Sequence, residues 1–156
     1  MLLAEALAQR AEATQKVAQL NGRIAANARF QEGETPAEDA NELIAQAEAA
    51  LVELESLIAR INRTNTATVL ADGRTLTDAL ATRDVLKMRH KLLVGAADAA
   101  VGTKSGWGLR QLRSELVSVT TLDVPTLRTQ ADRVAAELRE LDLRIQQANW
   151  NTELAA

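Results

Sequence analysis

The chain has 156 residues and a net charge of −3, and 47% of its residues are hydrophobic although only 2% are aromatic. It contains no cysteine, which excludes disulfides, thiolate metal sites and a cysteine nucleophile. A core of alanine and aliphatic side chains with few aromatics favours packed helices over a β-sandwich or barrel. The length suits one domain of ordinary size, so we predict a single helical domain over residues 1–156.

Several classes of protein are excluded or disfavoured at this level. Histidine occurs once, as His90, so one chain cannot build a multi-histidine metal site, and we predict no cofactor and no metal. The N-terminus lacks the charged start and long apolar core of a signal peptide. The most apolar stretch, residues 92–101, contains Asp98 and is far shorter than the roughly 20 residues that a membrane span needs. We therefore expect a cytoplasmic protein with no membrane span.

Charge is distributed unevenly along the chain. Residues 1–58 carry a net charge of −6, residues 83–113 carry +5 and residues 114–156 carry −3. Acidic ends around a basic middle favour a chain that docks on itself or on a second copy, because opposite potentials attract. The basic region could instead meet an anionic partner.

Two helices are predicted in the first half of the chain. Apolar residues at helical spacing predict the first over residues 3–29. Residues 35–38, Thr-Pro-Ala-Glu, predict the start of a second helix, with Thr35 as its N-cap and Glu38 closing a capping box. A heptad seam then extends this helix over residues 36–62; it consists of Ala40, Ile44, Ala47, Leu51, Leu54, Ile58 and Ile61. The short connection predicts that the two helices are antiparallel.

A small β element is predicted after the second helix. Polar residues 62–65 are expected to end that helix, because their side chains compete for backbone hydrogen bonds. A short strand over 66–70 and a turn at Asp72-Gly73 follow. Alternating residues over 115–122 predict a second strand, which could pair with the first as a β-hairpin or ribbon.

Two further helices complete the predicted fold. Thr75 is expected to cap a third helix over 76–100, and Asp123 is expected to cap a fourth over 124–149. The fourth helix has an unbroken heptad seam, made of Val124, Leu127, Ala131, Val134, Leu138, Leu141, Ile145 and Ala148. Such a seam requires a partner helix, either internal or from another subunit. The predicted fold class is therefore mainly α, with four long helices in two antiparallel hairpins of the bundle or coiled-coil type.

The polar residues near the end of the second helix are a candidate interaction or anion site. Asn62, Arg63 and Asn65 offer amide and guanidinium donors that could hydrogen-bond a ligand. The same side chains could instead satisfy free carbonyls at a helix end and anchor a turn.

A second candidate site lies on the third helix. The predicted inward face of that helix carries Arg83 and His90, with Lys87 between them in sequence. A guanidinium beside an imidazole could bind a phosphate or carboxylate. Arg83 could instead form a structural salt bridge with another helix, since we do not expect the adjacent Asp84 to be its partner.

The aromatic residues are predicted to lie at junctions between elements. Phe30, Trp107 and Trp150 all fall outside the heptad seams, so we expect them at possible subunit contacts. Trp107 also lies within the basic region, and a stackable aromatic with basic charge is the minimum for single-stranded nucleic-acid binding. Nucleic-acid-binding domains usually have a basic pI and clustered Lys and Arg residues, whereas this chain has an acidic pI near 5.3. We therefore do not expect a nucleic-acid partner.

Short blocks of sequence carry a family resemblance. They cover residues 31–39, 61–65, 72–76, 83–86 and 149–154 and occur in a fixed order along nearly the whole chain. In this respect the chain resembles a family of small bacterial proteins of unknown function that are commonly called septicolysins. The name implies a pore-forming cytolysin, and the resemblance brings no catalytic residues.

We predict a non-enzymatic structural or interaction protein that assembles as a homo-oligomer. Two alternatives remain open at this stage. One is the pore-forming cytolysin that the septicolysin name implies. The other is a binder of an anionic small molecule or nucleic acid through the basic central region.

Overall fold

A computed structural model describes residues 1–102 and 119–156. The described residues contain four helices and no extended strand, which confirms a mainly α fold of the helical-bundle type. The helices are α1 (Leu3–Asn27), α2 (Ala40–Ala67), α3 (Leu76–Val101) and α4 (Val124–Asn151). The first half of the predicted second strand over 115–122 lies outside the described residues, and its last four residues, 119–122, are not a strand.

The start of α2 differs from the prediction at residues 35–38. The helix begins at Ala40, and Asp39 is the N-cap, with its Oδ1 accepting a hydrogen bond from the Asn41 backbone N–H at 2.8 Å. Glu38 is occupied elsewhere, because its carboxylate accepts hydrogen bonds from the Arg23 guanidinium at the end of α1. The predicted capping box from Thr35 to Glu38 is therefore wrong. Glu38 pairs with Arg23 of α1 instead, and Asp39, an equally good N-cap residue, caps the helix.

The end of α2 also differs from the prediction. Residues 62–65 do not stop the helix, which continues to Ala67. The hydroxyls of Thr64, Thr66 and Thr68 donate to carbonyl oxygens four residues earlier, at 2.8 to 3.0 Å. Because these bonds are made along the helix, the threonines continue it instead of competing with it.

A tight turn connects α2 to α3. The predicted turn at Asp72-Gly73 is confirmed: the Gly73 N–H donates to the Leu70 carbonyl at 2.9 Å, and Gly73 has a φ of 83°. Val69 and Thr75 form one isolated antiparallel bridge. The predicted strand over 66–70 is therefore wrong, because helix α2 occupies its first two residues.

The boundaries of α3 and α4 agree closely with the sequence. Helix α3 begins directly after Thr75 and ends before Gly102, which has a φ of 72°. Asp123 caps α4 as predicted, since its carboxylate accepts hydrogen bonds from the Thr126 backbone N–H at 3.1 Å and hydroxyl at 2.7 Å. These bonds lower the pKa of Asp123.

The chain divides into two compact units. The first comprises residues 1–77 and 145–156, and the second comprises residues 78–144. Helices α3 and α4 run without a break through the residues where the units meet in sequence. Within the first unit α1 packs against α2, and the buried apolar side chains are Leu3, Ala6, Leu20, Leu43, Ala50, Ile61, Leu70, Leu76 and Ile145.

The second unit is built from most of α3 and α4. Asp98 near the end of α3 accepts a hydrogen bond from Arg128 in the first turns of α4, at 3.0 Å. The buried apolar side chains of this unit are Ala79, Leu86, Ala97, Ala131, Val134 and Leu141. The predicted α4 seam is confirmed, because each of its residues is buried or half-buried.

Candidate functional site

The polar residues at the end of α2 hold the C-terminal tail in the first unit. Arg63 donates from Nη2 to the Ala156 oxygen at 2.8 Å, and Arg60 donates from Nε to the Ala155 oxygen at 2.9 Å. The buried Thr64 hydroxyl accepts from the Ala155 N–H at 2.9 Å. The structure thus places Arg63 against protein backbone and provides that guanidinium with a structural partner.

The other two residues predicted for this site play no part in that contact. Asn62 is exposed, and its backbone carbonyl accepts a hydrogen bond from the Thr66 hydroxyl. Asn65 is half-buried. The tail itself pairs with the N-terminus, since the Leu3 N–H donates to the Thr152 oxygen and the Leu154 N–H to the Met1 oxygen, both at 2.9 Å. This end of the first unit is therefore a clasp that joins the start of α1, the end of α2 and the tail.

The polar residues predicted on α3 share one side of that helix in the second unit. Arg83 is half-buried, Lys87 is exposed and His90 is half-buried. Arg83 donates from Nε and Nη2 to the Asp84 Oδ1, both at 3.2 Å. Our expectation that Asp84 could not be the partner is wrong, because a long guanidinium side chain can lie along the helix and reach the next residue.

The two predicted polar groups belong to different units. Asn62, Arg63 and Asn65 lie in the first, whereas Arg83, Lys87 and His90 lie in the second. Each group is therefore a separate candidate. In both groups an arginine is already hydrogen-bonded to an oxygen of the chain.

The connection between α1 and α2 forms an open cleft of about 690 Å³. Apolar side chains line it, among them Ile24, Pro36, Ile44 and Phe30, which is 60% exposed. At its edge Arg23 pairs with Glu38, and the Asn27 side-chain oxygen accepts from the Glu38 N–H at 3.1 Å. The hydrogen bonds from Arg23 lower the pKa of Glu38, and the same pair raises the pKa of Arg23.

The two aromatic residues that the structure describes lie outside the helix seams, as expected, although Trp150 lies within α4 and not at a junction after it. Phe30 follows the end of α1, and Trp150 lies in the last turn of α4, and each is 60% exposed. Trp107 lies outside the described residues. Their role as subunit contacts remains a prediction.

A row of exposed apolar residues lies on α3, within the second unit. Its residues recur at spacings of four and three along the helix, and we call them the outer stripe. The outer stripe consists of Ala81, Val85, Met88, Leu92, Gly95 and Ala99, all exposed. Val85 is 62% exposed, and Met88 and Leu92 are each 70% exposed. Such a contiguous apolar surface commonly marks a site of interaction.

A second set of exposed aliphatic side chains lies on α2, within the first unit. Ile44, Leu51 and Ile58 recur every seven residues and are 39% to 46% exposed. They belong to the predicted α2 seam, which is therefore only partly buried. We call them the flank stripe, and two exposed glutamates, Glu48 and Glu55, alternate with them along the same edge.

The outer stripe and the tail clasp were not predicted from the sequence, for different reasons. The helical spacing of the outer stripe is visible in the sequence, but we predicted only one apolar face for α3, the inward one. No local sequence pattern predicts the clasp, because the hydrogen bonds of Arg60 and Thr64 with the tail join residues more than 90 positions apart.

The described residues include neither a membrane-spanning helix nor a cluster of metal ligands. None of the described helices is long and apolar enough to cross a membrane. Among the described residues there is also no group of three or more side chains that could together ligate a metal ion.

Comparison with known proteins places the chain among proteins without an assigned role. A family of unknown function, DUF6847, matches over residues 10–154. The chain is similar to a functionally unknown conserved protein from Corynebacterium diphtheriae that has a crystal structure. The two share 41% sequence identity over 99% of each chain, with a TM-score of 0.90. No curated protein matches. The septicolysin name thus finds no support among these matches.

Proposed function

We propose that this chain, which belongs to the DUF6847 family of unknown function, is a non-enzymatic interaction protein of the cytoplasm that assembles with copies of itself. One observation carries the proposal: large aliphatic side chains remain exposed at helical spacing on the surface of a small helical protein. Leu92 and Met88 are each 70% exposed, and Val85 is 62% exposed. Burying such a surface against another molecule removes apolar area from water, which favours association.

Sedimentation of the purified chain tests self-assembly. At micromolar concentration we expect a mass that is a multiple of the 16.8 kDa chain mass. A chain that sediments at 16.8 kDa at every concentration would contradict the proposal.

The two alternative functions predict different measurements. A pore-forming cytolysin releases dye from liposomes, whereas an interaction protein of this kind leaves them intact. A binder of anionic molecules would use Arg83 and Lys87, so inorganic phosphate or a short oligonucleotide would bind the wild-type chain and not an Arg83→Leu variant. In the interaction protein, Arg83→Leu removes the contact with Asp84 and is expected to change stability or assembly.

A further inference from the structure

We infer that the surface used for assembly is the outer stripe of α3, and that two copies pair through it with their α3 helices antiparallel. This inference rests on the proposed self-assembly and adds to it the surface and the orientation. The partner is a second copy of this chain.

The two faces of α3 differ in burial. One face is buried or half-buried and includes Ala79, Leu86 and Ala97. The outer stripe lies on the opposite face, because its residues are offset by about half a turn at 3.6 residues per turn. A helix that is apolar on two opposite faces is typical of one packed on both sides. The buried face is used within the chain, whereas the outer stripe stays exposed in the part of the chain that the structure describes and can therefore take a partner.

The length and spacing of the outer stripe determine which kind of partner fits it. It runs from Ala81 to Ala99 with spacings of four, three, four, three and four residues. This is the pattern of a coiled-coil seam, and at 1.5 Å per residue it extends for about 27 Å. The partner that fits such a seam is another helix with the same spacing of apolar residues. Helix α3 of a second copy has this spacing because its sequence is identical.

Large and small side chains of the outer stripe complement each other in an antiparallel pair that overlaps over residues 81–92. Ala81 then faces the partner's Leu92 and Val85 faces the partner's Met88, so each of these four layers combines a smaller and a larger side chain, which fills space well. The two stripe residues after Leu92 lie beyond this overlap. A parallel pair in register would instead leave gaps at three layers, because each of three small residues would face its own copy: Ala81, Gly95 and Ala99.

One edge of the outer stripe carries an acidic and a basic residue. Asp84 and Lys91 lie on this edge, seven residues apart, and the Asp84 side chain is 60% exposed although it also pairs with Arg83 of its own helix. The antiparallel register that pairs Ala81 with the partner's Leu92 also brings Asp84 beside the partner's Lys91. Two-fold symmetry makes this contact twice, so this edge is complementary to itself in charge.

The flank stripe of α2 is the competing surface on a second copy. Glu48 and Glu55 accompany it, so it could attract the basic residues near the outer stripe. Self-pairing of α3 is favoured because its side chains are the more exposed and because one symmetric contact closes the assembly as a dimer.

The first experiment compares two double variants by sedimentation. Met88→Lys with Leu92→Lys introduces two charges into the outer stripe, and we expect dimerisation to weaken at least tenfold. The control, Val52→Lys with Leu143→Lys, introduces the same charges at apolar residues that are 66% and 65% exposed on α2 and α4. We expect the control to dimerise like the wild type, and circular dichroism should show equal helix content in all three.

Each outcome of this experiment has one meaning. If the wild type assembles and the α3 double variant assembles as tightly, the inferred surface is wrong while self-assembly stands. A wild-type chain that is monomeric would overturn the proposed function itself. If the α3 variant keeps its assembly but melts at a lower temperature than the control, the outer stripe is covered within the chain and the inference fails.

The second experiment tests orientation and uses the absence of native cysteine. An Ala81→Cys variant is mixed with a Leu92→Cys variant under mild oxidation, and each is also oxidised alone. An antiparallel pair predicts a disulfide-linked dimer from the mixture and none from either variant alone, because a disulfide needs Cα atoms within about 7 Å. A Leu92→Cys variant that cross-links to itself would show a parallel pair, and no cross-link in any sample would place the contact elsewhere.

Discussion

Thr64 illustrates how a single hydroxyl can serve two parts of the first unit. It donates to the Arg60 carbonyl along α2 at 2.8 Å and accepts from the Ala155 N–H of the tail at 2.9 Å. The side chain is only 3% exposed, so water does not readily replace either partner. The residue is thus the buried point of the tail clasp, while Arg60 and Arg63 bind the tail at its edge.

Thr64→Val is expected to destabilise the protein by about 1–3 kcal/mol, because it keeps the side-chain shape but leaves the Ala155 N–H without its acceptor. The measurement is the free energy of unfolding in urea. Thr66→Val is the matched control, since the Thr66 hydroxyl is exposed and donates along the helix to the Asn62 oxygen. Equal effects of the two substitutions would show that the tail contact contributes nothing.

The pair of Arg23 and Glu38 gives the connection between α1 and α2 a pH dependence. The hydrogen bonds from Arg23 lower the pKa of Glu38 in the folded chain. The pair therefore contributes its full stability above the ordinary pKa of a glutamate, and this contribution is lost as the pH falls through the lowered pKa. The effect is small, because both side chains are substantially exposed.

Glu38→Gln is expected to lower the thermal midpoint slightly at neutral pH and to leave it unchanged in strong acid, where the wild-type carboxylate is protonated as well. Thermal melts at a series of pH values measure the difference. Glu34→Gln removes the same charge four residues earlier and serves as the control. A difference between Glu38→Gln and the wild type that grows as the pH falls would contradict the assigned direction of the pKa shift.

At the scale of elements, α2 presents faces of very different burial. Ile61 is 1% exposed, whereas Val52 is 66% exposed. We expect Ile61→Ala to lower the free energy of unfolding by about 2–5 kcal/mol, because it leaves a cavity in the core of the first unit. Val52→Ala should change that energy by less than about 0.5 kcal/mol. Urea denaturation measures both, and similar effects would contradict the assignment of the two faces.

The predicted helix bounds agree best with the structure where caps and apolar spacing within the helix determine them without contacts from the rest of the chain. Helix α4 could be predicted from its first residue to within two residues of its end, because Asp123 caps it and its seam residues recur at helical spacing. The boundaries of α2 could not. Its start depends on Arg23 of another helix, and its end depends on threonines that follow the helix instead of breaking it.

The candidate sites were predictable in part for the same physical reason. The spacing of Arg83, Lys87 and His90 on one helix is a local property and could be derived from the sequence. The partner of Arg63 is an oxygen of Ala156, which only the folded chain brings near. Periodicity also identifies apolar positions without saying which face is buried, so the seam of α2 was expected inside although Leu51 is 42% exposed.

At the scale of the whole molecule, the continuity of the helices determines how the two units unfold. The residues where one unit gives way to the other, around positions 77 and 145, lie inside α3 and α4. Helix formation is cooperative along a continuous helix, and no loop separates the units at either place. We therefore expect the first unit to unfold together with the second.

Leu86→Ala tests this cooperativity from within the second unit. Leu86 is 5% exposed, and its truncation should destabilise the chain by about 2–5 kcal/mol. The fluorescence of Trp150 reports on the first unit when Trp107 is replaced by Phe in both chains compared, and circular dichroism reports on all helices. We expect Leu86→Ala to move both signals to the same lower urea concentration in one transition, because continuous helices transmit the loss to the first unit. A Trp150 transition that stays in place while the circular dichroism signal splits in two would show instead that the units unfold independently.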